Sequence, residues 1–325
     1  MNTKQIAGIA ALSATLLLGQ PAAHAQPYPS HAINLVVGAA PGGPTDAVAR
    51  LLGKHMSKSM GVPVVVVNKG GGGGVIASEY VANQPADGYT LLMGSISTHG
   101  INTTLYRHLG YDAVKDFAPI SEVVSYPLVL IVNPKTVPAT TVKDFVAYVR
   151  KHADTLNRGS AGNGTSMHLA GELFNHVAGT NLNHVPYKGS APAMQALLAG
   201  QIDIDFESMT VALSHIEAGS VRALGVTGTK RSPLLPDVPA IAETLPSYHF
   251  SGWLGLLAPD GTPEQAIDRI HAEAVKALAN PEVRKKLEMQ GMEAVGSSPA
   301  EFKAFIAEQI QSLGDIVRRS GATVD

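Results

Sequence analysis

The chain carries one structural unit twice. The first copy starts at the apolar stretch 33–37 and continues through the glycine loop GAAPGGPTD (residues 38–46). A helix-like stretch, Gly61, the strand-like VPVVVV and then Asn68-Lys69-Gly70 complete it. The second copy starts at GSAGNGTS (residues 159–166) and continues through a helix-like stretch, Gly179, the strand-like LNHVPY and Tyr187-Lys188-Gly189. Loop glycine and post-helix glycine are almost equally spaced, Gly43 to Gly61 against Gly162 to Gly179. Each copy reads as a βαβ unit whose glycine loop sits at the C-terminal end of its first strand. In open α/β sheets that end is where ligands bind. Two such units, far apart in sequence, predict two lobes facing one cleft. Chance likeness between two ordinary βαβ units is the alternative.

The rest of the chain continues the alternation. Strands are predicted over 33–37, 64–67, 90–93, 128–132, 182–187, 202–206 and 223–226. Helices are predicted over 46–60, 75–83, 142–152, 166–178, 191–199, 263–279, 281–290 and 299–319. This pattern is α/β with mainly parallel sheets. About 300 residues predict one large or two medium domains.

The N-terminus reads as a secretory leader. Lys4 is the sole charge in residues 1–25, residues 6–18 are apolar, and Ala23-His24-Ala25 is a small-x-small cleavage site that would expose Gln26. The apolar run is too short for the roughly 20 residues of a spanning helix. The chain has no cysteine, hence no lipid-modified cysteine and no disulfide, and an ordinary apolar core must hold it. Its 24 basic and 26 acidic residues nearly cancel, which argues against nucleic acid and anionic membranes as partners.

The two glycine loops are candidate anion sites. The first turn of a helix leaves backbone amides unpaired, its dipole adds positive potential, and glycine admits a close approach. In GGPTD, Pro44 suits the first helical position and makes Gly43 the N-cap. Asp46 then falls where a capping carboxylate bonds back to the loop. The amides of Gly43 and Thr45 and the Thr45 hydroxyl are left for a ligand. In GNGTSMH, Thr165 is the predicted N-cap, and the amides and hydroxyls of Thr165 and Ser166 are the candidates. Neither loop has the GK[ST] ending of a phosphate loop or the dinucleotide fingerprint. The nearest cations, Lys69 and Lys188, each follow a second strand, and Arg50 lies one turn into its helix. A singly charged carboxylate, completed by ordered water, suits such neutral donors better than phosphate does. The other reading is that both loops are only tight, well-capped turns.

Longer motifs span the mature chain: YPSHAINLVVGAAPGGPTDAVARLL, VVVVNKGGGGGVIASEYVA, ADGYTLL, YDAVKDFAPI, GSAGNGTSMHLAGELF, HVPYKGSAPAMQALLAGQID, RALGVTGTKRSPLLPDVPAIAE and GWLGLLAPDGTP. Through them the chain resembles the Bug family of periplasmic solute-binding proteins, the receptors of tripartite tricarboxylate transporters. The resemblance implies an α/β, two-lobed periplasmic-binding-protein fold, type II-like, with two crossing strands and a cleft. Residues 26–126 with 249–325 would form one lobe and 127–248 the other. It implies a small carboxylate pinned between the loops, a role that falls on Gly43, Thr45, Ala161, Gly162, Thr165 and Ser166. Pocket lining falls on Ser95, Thr98, Lys188 and Gly189. It further implies a periplasmic monomer without cofactor that docks on integral-membrane permease subunits. Two features depart from the family pattern. NKGGGGG replaces the usual NRPGAGG, which predicts a more mobile loop. IDIDFESM is unusually acidic. Asp205 or Glu207, if turned to the cleft, would pair with an ammonium of an amino-acid-like ligand; the alternative is that they are capped or solvated.

No enzyme motif stands beside these. GxSxG, a cysteine nucleophile and HExxH are all absent. His168, Glu172 and His176 recur every four residues and would share a helix face, a spacing that can bind a metal. Against this, His168 falls at the helix start near the cleft and the other two read as exposed. His99, His184 and His249 read as packing or surface residues, with His99 the exception because its loop should rim the cleft. Trp253, near the return crossing, reads as a core anchor. The chain therefore reads as a hinge-closing receptor and not an enzyme. The alternatives are a sensor subunit feeding the sensor kinase of a two-component system, and a metal-dependent enzyme built on the His168 helix.

Overall fold

The computed structural model describes residues 28–152 and 155–324, so the predicted leader lies outside the described residues. In the first sheet, β1 (Ile33–Val37), β2 (Val64–Asn68) and β3 (Thr90–Ser95) run parallel with β1 in the middle. β9 (Ser251–Pro259) lies antiparallel beside β3, and the long β4 (Phe117–Val132) lies antiparallel beside β9. The short β10 (Glu293–Ala294) flanks β4. β4 pairs with β9 as far as Pro127 and, from Leu128 on, with β7 (Ile204–Ser208) and β8 (Arg222–Val226) in a second sheet. That sheet continues from β7 through parallel β5 (Asn157–Ser160) to β6 (Asn183–Pro186). One strand thus belongs to both lobes, and β9 returns the chain to the first.

The helices bury the stripes that their periodicity predicts. In α1 (Pro44–Met60), Val48, Leu52, Met56 and Met60 face inward and Gly61, at φ 75°, closes the helix. α2 (Val75–Ala82) packs on β1 and β3, and the short α3 (Asn102–Leu105) follows the turn after β3. α4 (Val142–Lys151), α5 (Ser166–Ala178), α6 (Ser190–Ala199) and α7 (Met209–Glu217) cover the second sheet. α8 (Glu264–Leu278) and α9 (Pro281–Glu288) join α1 over the first core, around Leu35, Ile120 and Ile270. α10 (Pro299–Ser320) is opened by a Ser298–Glu301 capping box. It packs with α4 and α5 on a second core that holds Leu130, Phe174, Trp253 and Phe302. A third core lies under α6 and α7.

Several elements escaped the sequence reading: β5, the first half of β4, β9 and α7. β5 reads Asn-Arg-Gly-Ser, which carries no apolar signal, yet Arg158 and Ser160 are fully buried in it. Trp253 is the core anchor expected. It is fully buried, edge-on to Phe302 and Phe305 at 5.5 and 5.6 Å, with its indole N–H donated to Gln309.

Candidate functional site

Parallel pairing puts the C-terminal ends of β1, β2 and β3 along one edge, with Val37 opposite both Asn68 and Met93. The loops that follow interlock. A Cβ on Gly38 would lie 2.8 Å from the Gly74 Cα, and one on Gly74 only 2.5 Å from Thr98 Cγ2. The glycine run that follows β2 turns left-handed at Gly71, Gly72, Gly73 and Gly74 in succession, a path that only glycine follows without strain. It does not stand free: Asn102 donates to the Gly73 carbonyl at 3.2 Å and Tyr106 to that of Gly72 at 3.0 Å.

At the head of α1, Gly43 is the N-cap and Pro44 the first helical residue, as read from sequence. The buried Asp46 accepts from the Gly42 amide at 2.9 Å, Arg50 Nε at 2.8 Å and the Asn68 amide at 2.8 Å. The Arg50 bond first, then the Gly42 and Asn68 bonds, hold its carboxyl down at about 2 against the cost of burial. The Gly43 amide reaches the Ala40 carbonyl at a long 3.4 Å, and the first helical bond is Ala47 to Gly43. That leaves the amide and hydroxyl of Thr45 without a protein partner among the described residues.

The second lobe repeats the plan with other parts. Ser160 is paired with Pro186 and Arg158 with Ile204, so β5, β6 and β7 end on one edge. Thr165 is the N-cap expected: it accepts from the His168 amide at 3.3 Å and donates to the Gly162 carbonyl at 2.8 Å, while its amide points to the same carbonyl. The Gly162 amide is taken by Ser160 Oγ at 3.1 Å, and Gly189 donates to Ala161 at 3.1 Å. Thr165 and Gly162 therefore shape the loop. The amides of Ala161 and Ser166 and the Ser166 hydroxyl keep their hydrogen-bonding capacity among the described residues.

Beneath this loop lies a cluster built on Arg158, a residue that the sequence reading missed. Arg158 is fully buried and donates to Glu172 at 2.5 Å and to the His168 carbonyl at 3.1 Å. It crosses α5 at Gly171, where a Cβ would lie 2.3 Å from the guanidinium carbon. The His168 and His184 rings stack at 3.9 Å and 14°. His184, read from sequence as packing or surface, contacts Ser160 Oγ at 2.6 Å, and burial, then His168 and Arg158, push it down to about 3. The one available signal was Gly171, a glycine inside a helical pattern that demanded a close neighbour.

Several predicted roles change place. Thr98 is buried, and its hydroxyl closes a turn onto Ser95, donating to the Ser95 carbonyl at 3.2 Å and accepting the Ser95 amide at 2.9 Å. His99 does not rim a cleft; it is fully buried, 4.7 Å edge-on to Phe117, and burial pushes it down to about 3. Lys188 is exposed, and Gly189 caps α6 at φ 116°. Glu207 and Asp205 are both fully buried, neither capped in solvent nor open to a cleft. Glu207 accepts from the amide and hydroxyl of Ser208, while Asp205 has no partner for either oxygen among the described residues. Burial and mutual repulsion raise the Asp205 carboxyl far above its usual range, and burial raises that of Glu207. His168, Glu172 and His176 do not converge on a metal position, because Glu172 turns to Arg158 and His176 to Arg319 of α10. Among the described residues no cluster of metal-ligating side chains is found.

The two lobes meet at α3. Its Leu105 lies where a Cβ on Gly164 would sit, and the neighbouring Asn102 and Tyr106 bind the glycine run after β2. One short segment thereby touches the glycine-rich turns of both lobes. A cavity of about 840 Å³ between α5 and α10 lies elsewhere, and its lining includes Glu122, Glu172, Glu308 and Asp315 against a single Arg319. None of the sequence-predicted ligand residues lines it.

Residues 48–322 match the model of the tripartite tricarboxylate transporter family receptor. The chain is 35% identical to BugT of Bordetella pertussis over 322 residues, 98% of each protein. An R. palustris protein solved with adipate, Rpa4515, superposes with a TM-score of 0.81 at 34% identity, over 91% of this chain and all of that one. MatC of Rhodopseudomonas palustris, solved with bound malate, gives 0.77 at 34% identity, over 89% of this chain and all of its own. A duplicated strand-end loop, two sheets sharing β4 and these likenesses agree: the chain belongs to the tripartite tricarboxylate transporter receptor family of Bug-type solute-binding proteins, a family of receptors and not of enzymes.

Proposed function

We propose that this chain is a periplasmic receptor that captures a small carboxylate by closing two lobes over it and delivers it to a tripartite tricarboxylate-type permease. The lobes are residues 26–126 with 249–325, and 127–248, with residues 1–25 removed as a secretory leader. The carboxylate takes its donors from both sides: the Gly43 and Thr45 amides and the Thr45 hydroxyl from the first, the Ala161 and Ser166 amides and the Ser166 hydroxyl from the second. Gly162, Thr165 and Gly189 shape the second loop, Ser95 and Thr98 support the first, and Lys188 adds positive potential at the rim. Closure follows because only the closed state offers both sets of donors. The observation that carries this reading is the seating of α3 against Gly164 on one side and the glycine run after β2 on the other. Relatives solved with adipate and with malate support a dicarboxylate.

Calorimetry with a panel of mono- and dicarboxylates, including adipate and malate, tests the reading. Saturable binding of one acid, weakened by both Thr45→Ala and Ser166→Ala, is the expected result. Indifference to the whole panel, or binding that ignores both substitutions, overturns it. Delivery is tested separately by whether the loaded protein restores uptake of that acid to vesicles carrying the permease.

A further inference from the structure

We propose that His168 is a positioning residue for the carboxylate loop of the second lobe: its Nδ1 holds the Gly164 amide and so sets the turn that presents Ala161 and Ser166. This rests on the reading of that loop as the ligand site.

The Gly164 amide donates to His168 Nδ1 at 3.2 Å, so this nitrogen must carry a lone pair. The ring proton then belongs on Nε2, which faces Glu172 Oε1 at 3.5 Å. Glu172 is itself anchored by Arg158. Burial alone would raise the Glu172 carboxyl, but the His168 and Arg158 donors outweigh it and hold the group low, so it faces Nε2 as a carboxylate. The second ring nitrogen therefore fixes the tautomer that the loop requires.

Gly164 is where this matters. It is buried, turns at φ 71°, and is the loop residue against which Leu105 of the other lobe packs. Without an acceptor at Nδ1 the Gly164 amide would lose its partner, and the turn that meets the first lobe would lose its hold. The ring itself is kept in place by Glu172 on its own helix and by His184 of β6, which stacks directly on it.

Two measurements test this. In the ligand-free protein at pH 8, imidazole nitrogen NMR should show His168 as the Nε2–H tautomer, and the Gly164 amide should be protected from hydrogen exchange in wild type and His168→Asn but exchange faster in His168→Ala. The Nδ1–H tautomer, or Gly164 exchange that ignores the Ala substitution, overturns the proposal. Adipate is then titrated calorimetrically into wild type, His168→Asn and His168→Ala at pH 8. The Asn side chain can accept the same amide. His168→Ala should bind about tenfold more weakly, the loss of one ordering hydrogen bond. His168→Asn should stay within about threefold of wild type. Equal affinity of the Asn and Ala variants counts against the positioning role. Failure of adipate to bind any of the three rejects that ligand, and the NMR result still decides the positioning role.

Discussion

Asp46 and Arg158 secure corresponding loops in the two lobes, and their settings are opposite. In the first lobe the acid is buried and its cation, Arg50, is half in water. In the second the cation is buried and its acid, Glu172, is partly exposed. The first clasp bonds its loop directly, through Asp46 to the Gly42 amide. The second meets the backbone at the His168 carbonyl directly from Arg158 and at the Gly164 amide through the His168 ring. Loops of like shape can therefore be held by one short clasp or by a relay of side chains. A buried guanidinium is also far less forgiving, since its burial must be compensated in full.

The largest expected effect falls on the second lobe. Arg158→Met removes the buried cation that offsets Glu172 and Asp205, and should cost about 3 kcal/mol or more in urea unfolding. Gly171→Ala should approach that loss, because its methyl would occupy the guanidinium's path.

The first clasp should break more gently. Asp46→Asn should cost about 1–2 kcal/mol at pH 7, one charge-assisted network weakened at a half-solvated partner. Because its folded carboxyl is held down at about 2, the advantage of Asp46 is full above about pH 4 and fades as pH falls toward 2. Wild type and variant should converge in acid, and a gap that persists at pH 2 would show the aspartate acting through packing.

Ligand affinity sharpens the comparison further. Thr45→Ala and Ser166→Ala should each weaken carboxylate binding about fivefold, close to 1 kcal/mol. The double variant should fall short of the product, because both lobes hold one anion and neither variant closes fully. Strict additivity would mean separate sites. The smallest change belongs to Lys69, whose ammonium sits 3.9 Å over the Tyr80 ring. Lys69→Met should cost only about 0.5 kcal/mol, read from the urea midpoint.

Much of this was legible in the residues. Pro44 after Gly43, Asp46 at the third helical position, and Thr165 ahead of Ser166 each gave a local rule that the structure obeys. The α/β alternation and the duplicated unit gave the parallel runs β1 to β3 and β5 to β7, but the sheets are not mainly parallel, because β4 and β9, which join them, pair antiparallel. What stayed hidden depended on contacts between distant segments. Arg158 in a four-residue strand looks solvated until β7 and α5 close over it. His99 looks like a cleft residue until Phe117, from a strand half with no clear apolar signal, packs on its ring. Asp205 reads as capped or solvated because no sequence rule anticipates an acid sealed without a partner among the described residues.

The alternation of β4 has a further consequence. Leu128, Leu130 and Val132 feed one core, while Val129 and Ile131 feed another. Both sets are branched aliphatics, so a slip by one residue would swap their destinations with little change in polarity to oppose it. Only the ladders to β7 and β8, the latter already broken between Leu130 and Ile131, keep the count. The register of the crossing therefore rests on backbone pairing and not on the apolar pattern, and a one-residue insertion at Pro127 should be opposed by polarity no more than a two-residue one.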